Sequence, residues 1–125
     1  MSGTGAGLGA GALPPFSFMK PRVAYKILTA EQMRALDEDR FEGAPIDVVD
    51  GYIHLSTAEQ VAGTLERHFA GTRDLYLASV DLARAGEAVR WEPSRGGALF
   101  PHLYGRLSAD LVLSVEPIGT RSTER

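Results

Sequence analysis

Asp50-Gly51-Tyr52-Ile53-His54-Leu55-Ser56-Thr57 holds the closest grouping of chemically capable side chains in the chain. Alternate residues of a strand share a face. A strand here therefore sets the Tyr52 ring, the His54 imidazole and the Ser56 hydroxyl side by side, and turns Ile53 and Leu55 towards a core. A helix is expected to follow at once, and the unpaired N–H groups of a helix start attract anions. Ser56 and Thr57 stand at that start.

The second unusual stretch runs from Trp91 to Gly105, WEPSRGGALFPHLYG. Gly96 and Gly97 permit backbone conformations that let a ligand come close. Arg95 offers a planar fork that matches phosphate or carboxylate. Phe100, His102 and Tyr104 are candidates for the wall of an aromatic pocket. The plainer alternatives are an ion pair for Arg95, core positions for Trp91 and Phe100, and a structural bond from His54 to a backbone carbonyl. For Trp91 the core reading is preferred, since tryptophan is mostly buried.

Other chemistries fit less well. His54, His68 and His102 show no HxH, HxxxH or HExxH spacing, so metal-assisted hydrolysis lacks its ligand pattern and no metal is expected. Neither Ser56 nor Ser94 stands in a GxSxG elbow, and capping accounts for Ser56. His68, in the last turn of a helix, reads as complementing the helix dipole.

These residues need a scaffold, and 125 residues suffice for one domain with a core. Hydrophobic residues at 44% and charged residues at 23% are globular proportions. A net charge of -3 argues against general nucleic-acid binding. The absence of cysteine excludes disulfides and thiol chemistry. No apolar run reaches bilayer length, and the N-terminus lacks the pattern of a secretory signal, so a cytoplasmic protein is expected. Oligomeric state is left open.

Residues 1–22 read as a flexible Gly/Ala/Pro-rich tail, with Met19 an alternative start. The glycines near Met1 lack the strand and helix that a dinucleotide loop needs. Residues 23–118 read as one α+β domain, and 119–125 as a polar tail. Within the domain, Ala24 to Leu28 is the first strand. A short helix follows, capped by Thr29 with Gln32 and burying Met33 and Leu36. A loop through Gly43-Ala44-Pro45 leads to the His54 strand. A second helix is capped by Ser56 with Glu59 or Thr57 with Gln60, carries Ala58, Val61, Ala62, Leu65 and Phe69 on one face, and stops at Gly71. Strands are expected at Asp74–Leu82, Val89–Glu92, Leu103–Leu107 and Asp110–Glu116, the last with Leu111, Leu113 and Val115 inward. The expectation is small mixed or antiparallel sheets with two helices.

DGYIHLSTAEQ, then HFAG, then WEPSRGGALFPHLYG together resemble the small bacterial domain-of-unknown-function family 952, from Tyr25 to Pro117. The resemblance implies an ADP-ribosyltransferase-like fold, with NAD as cofactor in a cleft between two small sheets. There is no thioredoxin-like βαβ pattern. By the same resemblance, His54 matches a histidine that binds the NAD ribose, followed by Ser56 and Thr57. Tyr104 is the candidate for stacking on nicotinamide. Glu92 is the candidate catalytic acid, with Glu116 its competitor. The expected function is binding of an NAD- or ADP-ribose-like nucleotide between the His54 strand and the Arg95 loop. His54 and Glu92 would serve ADP-ribosyl or phosphoryl-ribose transfer. The alternative is a binding module without chemistry.

Overall fold

Val23-Ala24-Tyr25-Lys26-Ile27-Leu28 is rich in β-branched and aromatic residues and forms the first strand, from which the rest of the fold can be followed. A computed structural model describes residues 21–118, except for the side chain of Arg95. The expected tails thus lie outside the described residues, apart from Pro21 and Arg22. In chain order the elements are β1 (Val23–Leu28), α1 (Ala30–Asp37), α2 (Pro45–Asp50), β2 (Ile53–His54), α3 (Val61–His68), β3 (Tyr76–Asp81), α4 (Leu82–Ala85), β4 (Val89–Pro93), β5 (Leu99–Leu103) and β6 (Val112–Pro117). The class is α+β, as expected. Beyond the two helices foreseen, α2 and the single turn α4 are present.

Two antiparallel sheets carry the strands, in the orders β1-β3-β6 and β2-β5-β4. Tyr25 and Ser56 join them through two backbone hydrogen bonds of 2.8 and 2.9 Å. Leu28, Ala78 and Val80 of the first sheet meet Ile53 and Leu103 of the second in one apolar cluster, completed by Leu36, Phe41, Leu55 and Leu107. Burial of this cluster supplies the main driving force for folding.

Thr29 caps α1 as its spacing predicts. Its side chain accepts from the Gln32 N–H at 3.2 Å, and its own N–H donates to Gln32 Oε1 at 3.0 Å. At the second start the Thr57–Gln60 pair forms, with Thr57 N–H donating to Gln60 Oε1 at 3.0 Å.

Several expectations are corrected. The second helix opens as a 3-10 turn, Ala58–Gln60, and only then becomes α3. Val61, Leu65 and Phe69 are half-buried, while Ala58 and Ala62 are exposed. Thr64, His68 and Phe69 line a cleft instead, so the helix lies beside a concavity and buries no full stripe. Leu103–Leu107 is not a strand: the strand is β5, which ends at Leu103, and Leu107 is a buried core residue. Leu82 begins α4 and does not extend β3. The last strand shows no buried alternate face: Leu111 and Val112 are half-buried against the core, and the five residues after them, Leu113 included, are all exposed. A 3-10 turn at Ala109–Leu111 precedes it, and the register shifts where it meets Ser79 and Val80. Leu113 is 57% and Val115 36% exposed.

Candidate functional site

Lys26 interrupts the apolar run of β1 and is buried there. A buried ammonium needs a partner, and α2 supplies one. Pro45 opens that helix at a position where its missing N–H costs nothing. Asp47 Oδ2 accepts from the Ala44 N–H at 2.8 Å, and Gly51 closes the helix at φ 88. Pinned in this way, Asp47 Oδ2 also accepts from Lys26 Nζ at 2.8 Å. Asp47 Oδ1 accepts from the His54 backbone N–H at 3.0 Å and faces His54 Nδ1 at 2.6 Å. Four donors therefore surround one buried carboxylate. Burial alone would raise the Asp47 pKa, but the His54 hydrogen bond and the Lys26 charge outweigh it and hold it at about 2. Burial lowers the Lys26 pKa, while Asp47 acts against that shift. Lys26 also donates to the His54 carbonyl at 3.1 Å.

The other face of the His54 ring system meets α2 again. Nε2 lies 3.0 Å from Asp50 Oδ2 at the helix end. Register then brings in the second motif: His54 stands directly opposite His102, and His102 opposite Arg90. His102 Nδ1 is 2.7 Å from Glu92 Oε1, which also accepts from the Tyr104 hydroxyl at 2.8 Å. These two bonds hold the Glu92 pKa below the usual carboxylate range, and the Glu92 bond raises that of Tyr104. The Arg90 guanidinium covers the Tyr104 ring at 4.7 Å. Tyr52 stacks on His102 with centroids 4.1 Å apart and lies 4.6 Å from His54. Burial, then the charges of Asp50 and Glu92, raise the Tyr52 pKa.

A cleft of about 700 Å³ opens against this assembly, walled by Tyr25, Thr29, Tyr52, His54, Phe100 and His102 among others. The two motifs therefore come together on the second sheet. Ser56 lies at the cleft, buried, with Oγ 2.9 Å from Thr64 Oγ1. Thr57 is buried in its helix-start box. Glu92 and Tyr104 share the face of His102 but lie outside the cleft lining. Gly96 and Gly97 are exposed in a turn with positive φ, closed by the Ser94 N–H donating to the Ala98 carbonyl at 2.8 Å. The Arg95 backbone lies in that turn, and its side chain is outside the described part. Ser94 and Phe100 represent this loop region at the cleft, and His68 also lines it. Among the described residues no cluster of three or more His, Asp or Glu has metal-holding geometry. No described helix is long and apolar enough to cross a membrane.

Sequence reading missed Lys26, Asp47 and Asp50. A signal for the last two was present: Pro45, with Asp47 two positions later and Gly51 beyond, spells a short helix start and stop.

Comparison with known proteins gives the chain its relatives. Residues 27–115 match the family model described as "Protein of unknown function (DUF952)". The crystal structure of protein CC0527 from Caulobacter crescentus is similar, with 42% identity and a TM-score of 0.72, over 76% of this chain and 84% of that one. The solution NMR structure of CC0527 is similar at a TM-score of 0.67 and 42% identity, over 76% and 83% of the two chains. No curated protein matches. As its motifs implied, the chain belongs to the DUF952 family.

Proposed function

We propose that the cleft binds a nucleotide-like ligand of the NAD or ADP-ribose kind, in a domain of ADP-ribosyltransferase-like type. The observation that carries this reading is the stacked Tyr52–His102 pair beside His54, flanked by the Asp50 and Glu92 carboxylates. Flat rings suit a base or nicotinamide. Carboxylates accept from ribose hydroxyls and complement the positive charge of an oxidised nicotinamide ring. The volume lies in the range of small-molecule sites. His54 hydrogen-bonds the ribose, and the turn holding Arg95, Gly96 and Gly97 is assigned to the phosphates, with Ser56 and Thr57.

A second reading, ADP-ribosyl transfer, rests on the Glu92 carboxylate, which His102 Nδ1 and the Tyr104 hydroxyl fix beside the ring cluster. As the C–N bond to nicotinamide breaks, the electron pair leaves with the ring and positive charge develops at the ribose carbon, which then bonds to an acceptor hydroxyl or amine that gives up its proton. A fixed carboxylate stabilises that charge. Glu92→Gln is then expected to abolish nicotinamide release while retaining binding.

The first test is a thermal-shift titration of the full chain with NAD, ADP-ribose and glutathione, with His54→Ala and Arg95→Ala in parallel. At a hundred times Kd, a ligand of the folded state adds about 2.7 kcal/mol, or roughly ten degrees for a domain of this size. A shift with NAD or ADP-ribose that both variants lose is the expected result. No shift with either nucleotide removes the reading.

A further inference from the structure

We infer that Asp47 is the residue that positions His54, and that Nε2 is the nitrogen His54 offers to the occupant of the cleft. One carboxylate oxygen, Asp47 Oδ1, faces both the backbone N–H and the ring Nδ1 of His54. It therefore fixes strand and ring together. The other oxygen is held by Lys26 and the Ala44 N–H, so the carboxylate is tied against rotation. An ionised carboxylate only accepts, which puts a hydrogen on Nδ1 and leaves Nε2 as the nitrogen free to exchange partners.

The two carboxylates that meet the ring differ in how firmly they are held. The Asp47 side chain is 2% exposed, whereas that of Asp50 is 37% exposed and stands at the end of α2 beside Gly51. Asp50 is thus the exchangeable partner and Asp47 the fixed one. A ligand hydroxyl or carbonyl replaces Asp50 at Nε2 while Asp47 keeps the ring aimed. The charged and titratable groups around the ring are Lys26 on β1, Asp47 and Asp50 on α2, Tyr52 before β2 and His102 on β5. The role of Nε2 towards a ligand rests on the cleft being a ligand site. The role of Asp47 in fixing the ring does not.

The test is nitrogen NMR of the full chain labelled at the histidine rings, first without ligand. Native protein is expected to show His54 Nδ1 as the nitrogen that carries the hydrogen in the neutral ring. A bare Nδ1 in the neutral ring overturns the inference, and this arm needs no variant to fold. Asp47→Asn is expected to redistribute the hydrogen between the two nitrogens and to weaken ADP-ribose binding about tenfold or more. Asp50→Asn is expected to leave Nδ1 protonated. Unchanged His54 nitrogen signals in folded Asp47→Asn overturn the positioning role. If native protein binds no nucleotide, the functional reading falls while the ring signals still decide for or against Asp47.

Discussion

Deleting the Asp47 carboxylate strands four donors at once, one of them the buried Lys26 ammonium. Asp47→Ala is therefore expected to cost about 3–5 kcal/mol, the usual penalty for breaking a buried ion pair. Lys26→Met is expected to cost less, since Asp47 keeps three N–H partners. Urea denaturation of both variants checks the order. The same carboxylate sets an acid limit. Its pKa is about 2 when folded, against roughly 3.9 when unfolded. The ionised form is thus favoured by folding, and the contribution of about 2–3 kcal/mol is complete above about pH 5 and lost as the pH falls towards 2. Native protein should lose urea resistance over that window, and Asp47→Asn should lose less; equal acid losses would show that other carboxylates set the limit. His54, Tyr52, Glu92 and His102 were legible as site candidates because their types and alternation stand out in sequence. Asp47 and Lys26 were not. An acid in a polar loop and a lysine in a strand both look solvated until the fold brings them within 2.8 Å.

At the scale of elements, α2 controls where Asp47 and Asp50 point, and Gly51 ends it. The Gly51 φ of 88 is left-handed, and a Cβ there would meet nothing within 4 Å, so any cost of substitution is backbone strain alone. Gly51→Ala should destabilise by about 1–2 kcal/mol and Gly51→Asn by less, because Asn tolerates this conformation. Equal losses for Ala and Asn would point to another cause. The first strand, the Thr29 box and the β4 alternation were readable from sequence, because each depends on neighbours a few residues apart. β5 was hidden by Pro101, which argues against a central strand. The Pro101 carbonyl accepts from the Leu55 N–H at 3.1 Å. The N–H and C=O of a strand residue point the same way, so the Pro101 nitrogen faces Leu55 with no hydrogen to return, which fits the end of β2 at His54. The exposure of Leu113 and Val115 left no local signal, and the register shift of β6 shows only in its pairing with β3.

Across the whole molecule, the two sheets share one apolar cluster and are joined by the Tyr25–Ser56 bridge. They are expected to melt as one unit. Trp91, the single tryptophan, stands on β4 and reports on the second sheet. Its fluorescence and the far-ultraviolet circular dichroism should give the same denaturation midpoint, and separate midpoints would mean separately stable sheets. The α+β class followed from mixed helix and strand signals, but the pairing that unites the two motifs is long-range and leaves no local trace. That pairing has a consequence for biosynthesis. β2 is only two residues long, and its ladder partner, β5, is made much later. During translation from the N-terminus, β1, α1 and α2 emerge while the His54 strand still has no ladder to join. Closing so large a loop is entropically slow, so the floor of the cleft is completed late, once the second motif has left the ribosome.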